Sequence, residues 1–120
     1  MLDILEAEGP PERVIFHCFS GDAAMAKRCA EAGYVMSFAW QHHVHRTRSA
    51  LREAAAAAPV DLLLVETDAP FLTPVPYRGK PTRPRWPPTR VRALADLKQV
   101  RVADLCAQLT ATGERMFGPW

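Results

Sequence analysis

Two spacings of apolar residues alternate along this chain. Leu2 to Ala7 reads as the tail of a helix, stopped by Gly9-Pro10-Pro11. Arg13-Val14-Ile15-Phe16 is a short apolar run of strand type. Gly21-Asp22 opens a helix. Asp22 can cap its free N–H groups, and Gly33 stands where a glycine just past a helix end belongs. Tyr34-Val35-Met36-Ser37-Phe38 is the next strand. Ser49 then caps a helix through Ala54–Ala58, which Pro59 ends. Leu62-Leu63-Leu64-Val65 is an uninterrupted apolar strand, as expected when both faces are covered. After a proline-rich stretch, Thr89 or Pro88 begins a helix through Lys98. Ala103–Thr112 forms another, and a last short turn reaches Phe117 before Gly118. The order α-β-α-β-α-β-loop-α-α predicts parallel βαβ units. Three parallel strands leave two edges and two faces to cover, so the pattern points to part of a larger sheet or barrel. No repeat of fixed period is present.

Composition narrows the class. The chain has 120 residues, 48% of them hydrophobic and 23% charged, which fits one small domain or a piece of a larger one and excludes disorder through charge. No apolar run approaches the roughly 20 residues that span a bilayer, so no membrane association is expected. The acidic start, Met1 to Glu8, lacks the basic segment of a signal peptide. Cys18, Cys29 and Cys106 are odd in number and contain no C-x-x-C pair. They read as buried small hydrophobes in a reducing, cytoplasmic setting. The net charge of +2 says little, but its distribution says more. Between Ala69 and Ala95 there is no acidic residue, while Arg78, Lys80, Arg83, Arg85, Arg90 and Arg92 are all basic. Seven of the 11 prolines fall in the same stretch. A basic loop stiffened by proline suits phosphate or nucleic-acid contact; it also suits a plain solvated surface.

Candidate chemistry sits at strand ends. In parallel α/β folds the site lies at the C-terminal ends of the strands. His17 directly follows the first strand, and Asp68 follows the third, with Glu66 and Thr67 between. An imidazole and a carboxylate are the donors that a divalent cation takes, but two ligands do not complete a catalytic metal site. Taken singly, His17 also reads as a hydrogen-bonded strand-end histidine, and Asp68 as a turn former before Pro70. Cys18 beside His17 makes a poor nucleophile–base couple, because neighbouring strand residues point to opposite faces.

Together these segments carry a resemblance. His17-Cys18-Phe19-Ser20-Gly21, Val65-Glu66-Thr67-Asp68-Ala69-Pro70 and Pro76-Tyr77-Arg78-Gly79-Lys80 resemble the TatD family of metal-dependent hydrolases, amidohydrolase-type (β/α)8 barrels known as DNases. The resemblance runs from Leu2 to Gly118 and includes Gly33–Phe38 and the ending Gly113–Gly118. It implies an α/β fold: a partial TIM-like barrel, the C-terminal half, with about three parallel strands and flanking helices over residues 1–120. It implies that His17 and Asp68 ligate a divalent cation (Mg, Mn or Zn) and that Asp68 helps activate water. Glu66 and Thr67 are implied to orient these groups, and Arg78 to face a substrate phosphate. The implied reaction is phosphodiester hydrolysis by metal-activated water, with DNA as the expected substrate and other esters open.

The chain also departs from the family pattern. The His-x-His pair, the bridging glutamate and a further histidine of the first half have no counterpart here, so the missing N-terminal half is the partner expected to complete the site. Stretches 40–49 and 81–90 diverge, with Arg, Pro, His and Trp abrupt between family-like flanks. Both are expected to be short frame-shifted patches of a GC-rich coding sequence. His42, His43 and His45 alternatively read as a metal cluster, with His43 and His45 on one strand face. The alternatives to a hydrolase are a non-catalytic basic module that binds nucleic acid and a non-functional fragment.

Overall fold

The computed structural model describes residues 1–39, 45–66 and 87–118, without the side chains of 45–48 and 87–90. The divergent stretches 40–49 and 81–90 therefore lie outside the described residues, except that 45–49 and 87–90 open helices. The order is α1 (Leu2–Glu8), β1 (Ile15–Phe16), α2 (Ala23–Glu31), β2 (Val35–Phe38), α3 (His45–Ala57), a 3-10 turn (Val60–Leu62), β3 (Leu63–Val65), α4 (Pro87–Lys98) and α5 (Val102–Phe117). The alternation of strand and helix expected from the sequence is present.

The three strands form one parallel sheet in the order β1-β2-β3. Ile15 pairs with Val35 and Phe16 with Met36, while Met36, Ser37 and Phe38 pair with Leu63, Leu64 and Val65. Strand residues alternate between faces, so this register sorts the sheet into two sides. Met36, Phe38 and Leu63 join the buried core with Ala26 and Cys29 of α2, Ala54 and Ala55 of α3, Leu94 and Ala95 of α4 and Leu105 of α5. The Phe19 and Phe38 rings pack at 5.4 Å within it, tilted by 52° to each other. The other face carries Ile15, Val35, Ser37 and Leu64, and Val35 is buried without joining that core.

Local chemistry sets the helix ends. The Asp22 carboxylate accepts the Met25 N–H at 2.9 Å and caps α2. At its far end Gly33, at φ 76°, lets its own N–H reach the Ala30 carbonyl and the Tyr34 N–H reach that of Cys29. This pair of bonds satisfies the last carbonyls and turns the chain directly into β2. Lys98, at the end of α4, donates from Nζ to the carbonyls of Ala56, at 2.8 Å, and Ala58. It thereby caps α3 from a neighbouring helix, and burial pushes its ammonium below the ordinary lysine pKa. Arg28 holds Asp3 at 2.8 Å and Glu6 at 3.1 Å, tying α1 to α2 and lowering the Asp3 pKa.

Several expectations need correction. β1 is shorter than Arg13–Phe16, since Val14 joins only through its carbonyl, which accepts the Val35 N–H. Leu62 belongs to the 3-10 turn rather than to β3. Ser49 is no cap: α3 starts at His45, and the Ser49 hydroxyl donates to Glu53 one turn on. A serine hydroxyl can serve a helix interior as well as its start, so it is a weak boundary signal. Ala103–Thr112 and the final turn are one helix, α5, continuous through the buried Gly113. Of the cysteines only Cys29 is buried, with its thiol pKa raised by burial. Cys18 is half-buried and Cys106 exposed.

Candidate functional site

A cleft of about 450 Å³ opens on the sheet face away from the core. Ile15, Ser37 and Leu64 form its floor, His17 and Glu66 stand at its strand-end rim, and Leu109, Gly113 and Phe117 of α5 wall one side. The C-terminal ends of parallel strands converge here, so polar side chains that follow the strands project into one space.

His17 and Glu66 meet in that space. Nδ1 of His17 lies 2.8 Å from Oε2 of Glu66. The imidazole is largely exposed, whereas the Glu66 side chain keeps only 12% of its surface. Despite the short approach the contact is not aligned as a hydrogen bond. Both Glu66 oxygens are shielded from solvent and have no aligned donor among the described residues. A buried carboxylate without a full set of donors is an acceptor in search of positive charge. A proton on Nδ1 facing Glu66 would leave Nε2 as the lone-pair nitrogen, the tautomer in which a carboxylate beside the ring orients a metal-ligating histidine.

The backbone that presents His17 is sharply bent. β1 ends at Phe16, and Cys18 adopts φ 47°, in the left-handed region. His17 and Cys18 thus belong to a turn, which replaces the strand alternation expected of them. The bend sends Phe19 into the core, and its N–H donates to the Ser37 carbonyl at 2.8 Å. Gly21 sits at a close approach: a Cβ there would lie 2.5 Å from Met25 Sδ and 2.9 Å from Phe19 Cζ, so those side chains would have to shift.

Of the residues singled out in the sequence, His17 and Glu66 come together. Thr67, Asp68 and Arg78 lie outside the described residues, as do His42 and His43. His45 is the first residue of α3, not part of a strand, which removes the expected shared strand face with His43. Among the described residues no three His, Cys, Asp or Glu side chains gather as a metal site. The donors present match a divalent cation in kind, one nitrogen and one carboxylate, while the ligand number needs further residues. Ser37 and the α5 wall were not legible as site residues. The available signal for Ser37 was a hydroxyl interrupting a four-residue strand that is otherwise apolar.

Comparison with known proteins bears on the family and the fold. The profile of a family described as TatD related DNase matches residues 1–118. An uncharacterized metal-dependent hydrolase TatD of Mycobacterium tuberculosis is 48% identical over 118 residues, 98% of this chain and 44% of that protein. The uncharacterized metal-dependent hydrolase YabD of Bacillus subtilis is 34% identical over 119 residues, 98% of this chain and 46% of its own length. The chain thus spans about half the length of the curated relatives it matches. The crystal structure of YJJV, a TatD homolog from Escherichia coli K12, superposes with a TM-score of 0.85 at 24% identity. It covers 99% of this chain and 46% of that one, a likeness of fold. A sheet of three parallel strands with helices on one side is accordingly part of a barrel, and the chain belongs to the TatD-related DNase family.

Proposed function

We propose that this chain supplies the C-terminal half of a divalent-metal-dependent hydrolase that cleaves phosphodiester bonds, with DNA as substrate. The observation that carries the reading is the His17–Glu66 contact at the strand-end rim, with both Glu66 oxygens shielded and lacking an aligned donor. Family membership and relatives named as metal-dependent hydrolases support it. His17 would hold a cation through its imidazole, Glu66 would orient that ring from the Nδ1 side, and Asp68, of the same sequence parity as Glu66, would add a carboxylate. Thr67 orients these groups, and Arg78 meets a substrate phosphate. When bound, the cation acidifies water and offsets charge on the phosphoryl oxygens. The remaining ligands come from the half of the relatives that this chain does not match. In this reading residues 1–120 form one half-barrel unit, with 40–49 and 81–90 as divergent stretches whose coding DNA is to be inspected for compensating frameshifts.

Calorimetric titration with Mn²⁺ tests the proposal, on the chain alone and mixed with the unmatched N-terminal half of the Mycobacterium tuberculosis relative. Alone, the chain is expected to bind only in the millimolar range, since its ligand set is incomplete. The mixture is expected to bind far more tightly and to nick DNA. His17→Ala and Asp68→Ala are each expected to remove the residual binding. Absence of binding and of cleavage in the mixture rejects the proposal. Metal-independent DNA binding that weakens steeply with salt indicates the non-catalytic basic module instead.

A further inference from the structure

The ladder between β1 and β2 slips by one residue just after β1. In a parallel ladder, a residue's N–H and C=O bond the residues on either side of its partner. Val35, paired with Ile15, accordingly donates its N–H to the Val14 carbonyl at 3.0 Å. Two residues on, the Ser37 carbonyl is due the N–H of residue 18. It accepts that of Phe19 instead, at 2.8 Å. His17 and Cys18 therefore share the place of one ladder residue, which is a β-bulge, and Cys18 closes it at φ 47°.

The bulge decides where the residues around it face. Ile15 and His17 both line the cleft, and unbroken alternation would send Phe19 there too. Phe19 lies in the core instead, 5% exposed, with its ring 5.4 Å from that of Phe38. Held in the ladder, His17 would stand level with Ser37 and Leu64, two residues short of Glu66 along β3. In the turn, its Nδ1 reaches to 2.8 Å from the Glu66 carboxylate. An extended Cys18 would have to give up one of the two placements. Phe19 is held by core burial and by its bond to Ser37, whereas the His17 side chain keeps 73% of its surface exposed. Burial of an aromatic ring outweighs an exposed polar contact, so His17 is the one displaced.

We propose that Cys18 is a positioning residue: its left-handed backbone holds the bulge that swings the His17 imidazole out of the ladder and toward Glu66. Non-glycine residues occupy such φ values at a cost, and they persist where the surroundings impose them, often at functional sites. This role rests on the reading of His17 as a ligand of the proposed site, and it exists without a bound metal.

NMR of the metal-free full chain at fixed pH tests backbone and imidazole separately. The intraresidue HN–Hα cross-peak of Cys18 reports φ and is expected to have the high intensity of a left-handed residue. The ¹⁵N shifts of the His17 ring, assigned with His17→Ala, report the contact, and Glu66→Gln is expected to change them. That dependence on Glu66 is expected to persist in Cys18→Gly, to which positive φ is open, and to be lost in Cys18→Val, whose branched side chain opposes it. The Phe19 ring signals are expected to stay in place in both. A negative φ in the wild type, a lost Glu66 dependence in Cys18→Gly, or an intact one in folded Cys18→Val overturns the inference. If the valine variant does not fold, the other two measurements decide. If Glu66→Gln leaves the wild-type shifts unchanged, the pair fails and this inference with it. Mn²⁺ added to the wild type checks the ligand role of His17 by itself. If it broadens none of the His17 ring signals, that role fails while the metal-free result on Cys18 stands.

Discussion

At the scale of single residues, the segment His17–Gly21 shows how a short motif encodes geometry. His17 must face the cleft while Phe19, two residues later, must enter the core. Strand alternation would put both on one face, and the left-handed Cys18 breaks that parity. Gly21 then brings the chain so close to the Met25 and Phe19 side chains that a Cβ there would force them to shift. Gly21→Ala is therefore expected to destabilise the fold by about 1–3 kcal/mol through overpacking. Thermal or urea unfolding of the variant checks this. The histidine and the glycine were legible as a motif, but the bend at Cys18 was not. Cysteine has no special preference for positive φ, and nothing in its neighbours announces one.

At the scale of elements, the helices owe their ends to neighbours as much as to their own sequence. Asp22 and Gly33 were readable as start and stop of α2, because both act through local backbone bonds. The end of α3 depends instead on Lys98, some forty residues away in sequence. Lys98→Met, which keeps the stem and removes the ammonium, is expected to cost about 1–2 kcal/mol by leaving the Ala56 and Ala58 carbonyls without this donor. The pH dependence follows from the lowered pKa. The folded state binds the Lys98 proton less tightly than the unfolded chain, so Lys98 contributes more to stability as pH rises from its depressed value toward 10.5. The stability gap between wild type and Lys98→Met should widen over that window and stay flat below it. Denaturant titrations of both proteins at several pH values read it directly.

At the scale of the whole molecule, the sheet is covered by helices on one side and open to a cleft on the other. Among the described residues β1 and β3 each pair with β2 alone, which leaves two strand edges with backbone groups to satisfy. Phe117 adds an exposed aromatic ring beside the cleft, with 62% of its surface accessible. Unpaired parallel edges beside apolar surface favour association. The isolated chain is expected to self-associate with concentration in analytical ultracentrifugation, and the complementary half of a relative should suppress this and raise Tm. A strictly monomeric chain at high concentration would contradict the expectation. No helix among the described residues is long and apolar enough to cross a membrane.

The sequence by itself determined the alternation of strands and helices, the parallel class of the sheet, its incompleteness and the placing of His17 and Glu66 at strand ends. These follow from periodicity and local capping, which act over a few residues. It left the elements' limits loose where the deciding contact comes from elsewhere, as at Ser49, Leu62 and Gly113. Only the tertiary structure decided that His17 and Glu66 touch, that Ser37 lines the same cleft and that α5 walls it. Each of these depends on strand register and on packing between segments far apart in the chain, and a linear pattern carries no distance between them.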